Sequence, residues 1–398
     1  MPKNVLYIDL DALRPDHLGC YGYHRNTSPN IDSIASEGVR FGECYTPDAP
    51  CLPSRTAMTS GRFGIHTGVV NHGGARSEPF NQGPDRGFQC NRCEDNWARL
   101  LGNAGYHTVA FSPFAQRHGA WHWYAGFMEM HNTGGGGMET ADVIAPQVED
   151  WLQRNGDSRD KPFFMWVNVW DAHTPYRTPL GENEENPFSR EPLPDWYDES
   201  VRAEHWNWPG PNSAQEINNY EVMPGWLATV AEKQFPDLPR LHPNQLPDME
   251  HARMVFDGYD LGVSHADRYI GKIIQKLKDL GIYEDTAIII SSDHGENLGE
   301  LGIYGDHQTA DAITHRVPMI VRWPGITDAH ANTQDDRLLY NIDMAASTLE
   351  FIGESVPDTW DGQSIAQAIR TGDKTPHRDH LGLSQMAWCV QRAIRWED

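Results

Sequence analysis

Three runs of this chain are apolar at nearly every position, and each ends in residues that carry chemistry. They are Asn4-Val5-Leu6-Tyr7-Ile8, leading into Asp9-Leu10-Asp11; Phe163-Phe164-Met165-Trp166-Val167-Asn168-Val169-Trp170, leading into Asp171-Ala172-His173-Thr174-Pro175-Tyr176; and Thr286-Ala287-Ile288-Ile289-Ile290-Ser291-Ser292, leading into Asp293-His294-Gly295-Glu296. Short β-rich runs with so little alternation leave no face for water, so the sheet they form must be covered on both sides. Tyr106-His107-Thr108-Val109-Ala110-Phe111, entered by a turn at Ala104-Gly105, supplies a further strand. Helical patterns separate these runs. Ser28 to Gly38 carries a Ser N-cap, Pro at N1 and an apolar face of Ile31, Ile34 and Ala35. Others lie at about Asn96–Gly102, at Thr140–Asn155 with Pro146 limiting its first turns, and at Met249–Leu280. Strands alternating with helices predict an α/β fold with a mostly parallel sheet flanked by helices.

A buried strand that finishes in carboxylates needs a reason, because unpaired charge in a core costs several kcal/mol. Metal ligation supplies one. Asp9 and Asp11 share a face by the two-residue strand period, and Asp293 lies beside the imidazole of His294. A second kind of site is expected at Cys51-Leu52-Pro53-Ser54-Arg55, where a loop enters a helix. Free N–H groups and the dipole at such an end favour an anion, and Arg55 can lean back beside Cys51.

Cys51-Leu52-Pro53-Ser54-Arg55, followed by Gly61-Arg62, resembles the maturation motif of type I sulfatases, the formylglycine-dependent branch of the alkaline phosphatase superfamily. In that motif the Cys is oxidised to formylglycine. Asp11-Ala12-Leu13-Arg14-Pro15-Asp16-His17 resembles the family's amino-terminal signature, with Asp11 at its first metal-binding Asp and Ala12 where a second Asp is common. Asp9 either replaces that ligand or acts as a hydrogen-bonded carboxylate behind it. Asp293 and His294 match distal ligands found in sulfatases and in phosphonate monoester hydrolases, and His173-Thr174-Pro175-Tyr176 resembles the family's His-x-Pro-Tyr strand end. His173 is thereby the candidate general acid or base, at the carboxyl end of a strand where ligands collect.

Two departures concern lysine, of which the chain has only Lys3, Lys161, Lys233, Lys272, Lys276, Lys278 and Lys374. The family's Gly-Lys-x-His element falls at Ser112-Pro113-Phe114-Ala115, so Arg117 and His118 either fill the same space by another backbone path or are merely solvated. The family's next substrate-binding Lys falls near His307, which is either its substitute or a solvated loop residue. His66 and His72 are weaker pocket candidates. Trp121, Trp123, Tyr124 and Phe127 suit a sugar face or a core.

The resemblance implies a sulfuric ester hydrolase that releases sulfate from a sulfated small molecule or glycan. One hydroxyl of hydrated formylglycine at Cys51 would attack sulfur, and the second would later expel sulfate. Arg55 would stabilise the hydrate, Arg117 would offset sulfuryl charge, and His173 or His118 would protonate the leaving alcohol. Asp11, Asp293 and His294, with residue 51 and Asp9, would hold a divalent metal. Oxygen-rich ligation favours calcium, and His294 admits manganese or another transition metal. A formylglycine-generating enzyme is the implied maturation partner. The rival readings are a phosphonate monoester or phosphodiester hydrolase and a catalytically impaired protein that binds sulfated glycans.

A formal charge of −24 argues against nucleic acid or an anionic membrane as partner. No segment has transmembrane length, and no secretory signal follows Met1, which reads as cytoplasmic, or as periplasmic or secreted where an upstream signal has been removed. Cys20, Cys44, Cys51, Cys90, Cys93 and Cys389 form no regular framework, and Cys90-Asn91-Arg92-Cys93 is a lone Cys-x-x-Cys. The expected organisation is a catalytic domain over 1–345, interrupted by a Pro- and Trp-rich insertion at about 177–247, and a partial carboxyl-terminal subdomain over 346–398.

Overall fold

The computed structural model describes residues 4–73, 76–79, 94–112, 114–156, 161–176, 178, 185–204, 246–387 and 390–397. Most of the insertion and the Cys90-x-x-Cys93 motif lie outside these residues. The main sheet is built from β1 (Asn4–Leu10), β2 (Val39–Phe41), β3 (His107–Phe111), β4 (Glu129–His131), β5 (Phe163–Val169), β6 (Thr286–Ser292), β7 (Met319–Arg322) and β8 (Thr333–Asp335). Their spatial order is β8-β2-β7-β6-β1-β5-β3-β4. β1 lies at the centre, parallel to both β5 and β6, and β7 alone is reversed.

The two-residue period of β1 sorts its side chains into two cores. Leu6, Ile8 and Leu10 join Met165, Val167 and Ile290 on one face, covered by α1 (Pro29–Ser36), α4 (Ala141–Asn155) and α5 (Met249–Asp279). Val5 and Tyr7 join Phe164, Trp166 and Ile289 on the other, covered by α2 (Cys51–Ser60), α3 (Trp97–Asn103) and α6 (Ile342–Phe351). Asp9 has the parity of Tyr7 and so faces the α2 layer. Among the described residues no helix is long and apolar enough to cross a membrane.

Several local expectations are refined. α4 runs unbroken through Pro146, held by its buried Ile144, Ala145, Val148, Trp151 and Leu152, so the missing N–H does not limit its first turns. Ser28 precedes α1 without capping it; its hydroxyl accepts from Gly19 N and donates to Asp32. Trp123 stacks on Phe127 inside the core, whereas Trp121 is exposed. The Gly61-Arg62 pair is the stop of α2. Gly61 is left-handed (φ 66°), and a Cβ there would lie 2.1 Å from the Trp360 ring.

A small second sheet bears on the site. The hairpin His380–Gln385 with Gln391–Trp396 pairs in parallel onto Asp48–Ala49, immediately before Cys51. Buried Asp48 accepts from Gly64 N at 2.7 Å. Burial, opposed by that hydrogen bond, pushes its carboxyl up to about 7. A folded pKa above the unfolded value of about 3.9 means the native state holds the extra proton, so stability is full below about pH 4 and declines as pH rises to about 7. Asp48→Asn is therefore expected to be more stable than the parent at about pH 8 and no more stable at about pH 4. Equal urea midpoints for the two proteins at both pH values would refute this coupling.

Candidate active site

The carboxyl ends of β1, β5 and β6 converge on the first turn of α2. Cys51 is its first residue and is 1% exposed. Its Sγ lies 3.1 Å from His294 Nε2, 3.9 Å from Asp11 Oδ1 and 4.0 Å from His307 Nε2. One turn on, fully buried Arg55 holds three carboxylates. Its Nε donates to Asp9 Oδ2 at 2.7 Å, and its Nη1 reaches Asp11 Oδ2 at 3.0 Å and Asp293 Oδ2 at 2.7 Å. Arg55 thus ties the ends of β1 and β6 to α2 and spends its charge on carboxylates rather than on Cys51.

Asp11, Cys51, Asp293 and His294 each offer a donor atom within 4.8 Å of the others, and all are buried. Asp9 stands behind this group. Its Oδ2 accepts from Arg55 and from Asn168 Nδ2, the arrangement of the hydrogen-bonded alternative. Ala12 is left-handed (φ 60°), which is uncommon without glycine, and its N–H donates to Asp293 Oδ1 at 3.2 Å. Backbone rather than a second carboxylate occupies that position.

The donor set fits a divalent cation. Asp9, Asp11 and Asp293 share the fully buried Arg55 guanidinium and Arg117 adds a second cation on Asp11 alone, so the buried carboxylates outnumber the guanidinium groups beside them. Burial, opposed by Arg55 and reinforced by Asp11 and Asp9, pushes Asp293 up to about 8. Burial also disfavours the charge on Asp11, but Arg55 and Arg117 outweigh it and hold Asp11 well below the usual range. Burial and the neighbouring His307 keep His294 neutral, and its Nδ1 donates to Gly295 O at 2.8 Å, which leaves Nε2 as a lone-pair donor toward Asp11 and Cys51.

Cationic and aromatic groups occupy the other side of Cys51. Arg117 Nη2 lies 3.1 Å from Asp11 Oδ2, its guanidinium 4.3 Å over the Trp170 ring, and its Nε donates to His118 Nε2 at 2.9 Å. Arg117 and His118 are therefore at the pocket, both partly buried. The His173 ring stacks on Trp170 at 3.7 Å, and its Nδ1 donates to Thr174 O, so Nε2 faces Asp11 Oδ1 at 4.0 Å. Burial keeps His173 and His118 neutral. His307 differs. Burial opposes its charge, but Glu296 and Cys51 raise its pKa well above the ordinary value, and its Nδ1 donates to Glu296 Oε2 at 3.1 Å. A buried imidazole paired with a carboxylate stands where the family resemblance implies a lysine.

Of the weaker candidates, His72 joins the pocket, its ring 4.4 Å from His118. His66 pairs with Asp361 and is half exposed. Glu296 and Asn168 were missed as functional residues. Glu296 stands directly in Asp293-His294-Gly295-Glu296, and Asn168 is the one amide in an otherwise apolar strand; both were legible signals.

The model of the Sulfatase family matches residues 3–354, which takes in Asp9, Asp11, Cys51, Arg55, Arg117, His118, His173, Asp293, His294 and His307. The chain belongs to the sulfatase family. An N-acetylglucosamine-6-O-sulfatase of Bacteroides thetaiotaomicron is 23% identical, over 94% of this chain and 72% of that protein. The structure of a protein in complex with its substrate D-glucosamine-2-N,6-O-disulfate aligns with a TM-score of 0.74 at 22% identity, over all of this chain and 88% of that one. A phosphonate monoester hydrolase from Silicibacter pomeroyi aligns with a TM-score of 0.64 at 19% identity, over 96% and 79%. This sulfatase therefore has the alkaline-phosphatase-like fold and is a sulfuric ester hydrolase of that superfamily.

Proposed function

We propose that this sulfatase releases inorganic sulfate from a sulfated carbohydrate, with residue 51 acting as formylglycine. The observation that carries the reading is the convergence on Cys51 of a ligand group on one side (Asp11, Asp293, His294) and an anion-recognising group on the other (Arg117, His118, His173, His307). When bound, a hard divalent cation, with calcium favoured, would supply Lewis-acid polarisation and a lowered pKa for its oxygen ligand. Asp11, Asp293 and His294 would hold it, and Arg55 keeps these carboxylates in place.

The remaining roles belong to the chain itself. Arg117 and His307 would flank the non-bridging oxygens of the sulfuryl group, which share one negative charge, where fixed donors in a buried site act most strongly. His173, with Nδ1 tied to Thr174 O, presents Nε2 to the bridging oxygen and can pass a proton there once charged. His118 accepts from Arg117 through Nε2 and so orients that guanidinium, which leaves proton supply to His173.

Mass spectrometry of the Cys51 peptide, after co-expression with a formylglycine-generating enzyme, together with sulfate release from a panel of sulfated sugars, tests this reading. The expected result is the aldehyde mass and sulfate release. An unmodified thiol, or metal-dependent sugar binding without release, would reject it in favour of the impaired binder. The phosphonate monoester hydrolase neighbour and the absence of lysine from the described pocket favour one second reading, which a higher rate on phosphodiesters than on sulfate esters would support.

Arg117→Ala should lower kcat/KM by about 10²-fold or more, the scale of losing a charge-stabilising donor, whereas His66→Ala should change it less than about twofold. Equal small losses would remove Arg117 from the anion site.

A further inference from the structure

Trp170, the residue that follows β5, touches two of the side chains of the pocket at once. Its ring lies 3.7 Å from the His173 ring with an interplanar angle of 23°, and the Arg117 guanidinium lies 4.3 Å over it. The backbone fixes this indole. Trp170 N–H donates to Glu139 O at 3.0 Å, and the neighbouring Asp171 carboxylate, which is buried, accepts from Ala141 N at 2.5 Å, so the strand end is tied to the start of α4. A turn then reverses the chain. Ala172 is left-handed (φ 76°), and His173 N–H donates to Trp170 O at 3.1 Å. Continued as a strand, residues 170 and 173 would point to opposite faces, whereas the turn folds the imidazole onto the indole. The turn sits directly on α5, where a Cβ at Gly262 would lie 2.8 Å from Ala172 N.

Arg117 and His173 have one further partner in common, Asp11, at 3.1 and 4.0 Å. That carboxylate is also in the proposed ligand group, so its charge is not theirs alone. Their other tethers, His118 on Arg117 and Thr174 O on His173, are local to the segments that carry them. The indole instead joins the two segments, and it does so without charge: its face attracts a guanidinium through the ring quadrupole and offers the imidazole a flat surface to stack on. We infer that Trp170 is a positioning residue, whose indole sets the Arg117 guanidinium and the His173 imidazole relative to each other so that one meets the sulfuryl oxygens and the other the bridging oxygen of the same ester. Trp170 acts through those two side chains and not on the ester. The inference rests on the proposed sulfate-releasing function and adds to it the residue that aligns anion recognition with proton supply.

The test compares the full chain, co-expressed with a maturation enzyme, with its Trp170→Leu and Trp170→Phe variants, on the sulfated sugar the parent cleaves fastest and in calorimetric binding of inorganic sulfate. Trp170→Leu should lower kcat/KM by at least about 10-fold, with KM raised through Arg117 and kcat lowered through His173, and Trp170→Phe, which keeps a ring face, should lose less than about threefold. In an Arg117→Ala background the KM effect of Trp170→Leu should vanish and the kcat effect persist; in a His173→Ala background the reverse should hold. Equal effects in all backgrounds, the mark of packing alone, a change in only one of the two parameters, or a Phe variant no better than Leu would overturn the assignment. Should Trp170→Leu fail to fold, Trp170→Met takes its place, and failure of both would make Trp170 a core residue and overturn it too. A parent that releases no sulfate from any sugar would reject the proposed function. Inorganic sulfate bound at least about fivefold more weakly by Trp170→Leu, and restored by Trp170→Phe, would then still support the inference, whereas unchanged or undetectable binding would reject both. Sulfate release indifferent to residue 170 would reject only the inference.

Discussion

Replacing Cys51 with alanine is expected to abolish multiple turnover of sulfate esters, a loss of at least about 10⁴-fold in kcat, with the thermal unfolding midpoint nearly unchanged. The size of the effect follows from the position of the residue. Cys51 is the buried first residue of α2, at the point where Asp11, His294 and His307 approach one another. No other nucleophilic side chain within the described pocket shares that position, so activity has no alternative route. The structural cost is small because alanine begins a helix readily and the lost sulfur is a single atom in a polar pocket, not a block of core. Steady-state sulfate release and calorimetry on the same preparation check both halves. Turnover retained by Cys51→Ala would defeat the nucleophile assignment, and an unfolded variant would show Cys51 to be structural.

Arg55→Ala should destabilise the protein by about 3–5 kcal/mol, the cost of breaking a buried ion network by removing one side. Arg55 is fully buried, as are Asp9 and Asp293, and Arg55 is the guanidinium that touches all three carboxylates. Alanine leaves Asp9, Asp11 and Asp293 without it, and Arg117 reaches only Asp11. Each carboxylate freed from Arg55 then holds its proton to a higher pH in the native state than in the unfolded one. Stability is lost as pH rises from the unfolded carboxylate value, about 3.9, through those raised values. The deficit against the parent should therefore be larger at about pH 8 than at about pH 5, which urea titrations at the two pH values would measure. A pH-independent deficit would mean that packing against Phe114, over which the guanidinium lies at 4.6 Å, rather than charge, sets the cost.

The proposed ligand group was legible in the sequence because it sits on regular structure. Asp11, Asp293 and His294 stand at the ends of β1 and β6, and His173 follows β5. The ends of neighbouring parallel strands must lie side by side, so residues at equal depth meet whatever their separation in sequence. Cys51 and Arg55 were readable for a similar reason, one helical turn apart at the start of a helix. The position of Arg117 and His118 was less so. It depends on the short helix Phe114–His118, whose course no periodicity announces, and it became definite only when Arg117 was seen against Asp11 and Trp170. The role of Asp9 was likewise open until Arg55 and Asn168 were seen to take up its Oδ2.

By itself the chain determined its layers and the start of the helix that carries Cys51. Apolar runs of strand length bury both faces, the two-residue period assigns each side chain to one core, and the motif beginning at Cys51 starts a helix. Tertiary structure alone decided how charge and protons are shared among those residues. Asp9 faces a guanidinium and stands behind the metal-ligand group, Ala12 contributes an N–H where a carboxylate was missing, and Glu296 raises the pKa of His307 against its burial while burial lowers those of His173 and His294. Electrostatic energies in a dry interior depend on separations of a few ångströms between groups hundreds of residues apart, and such separations exist only once the sheet has closed against α2.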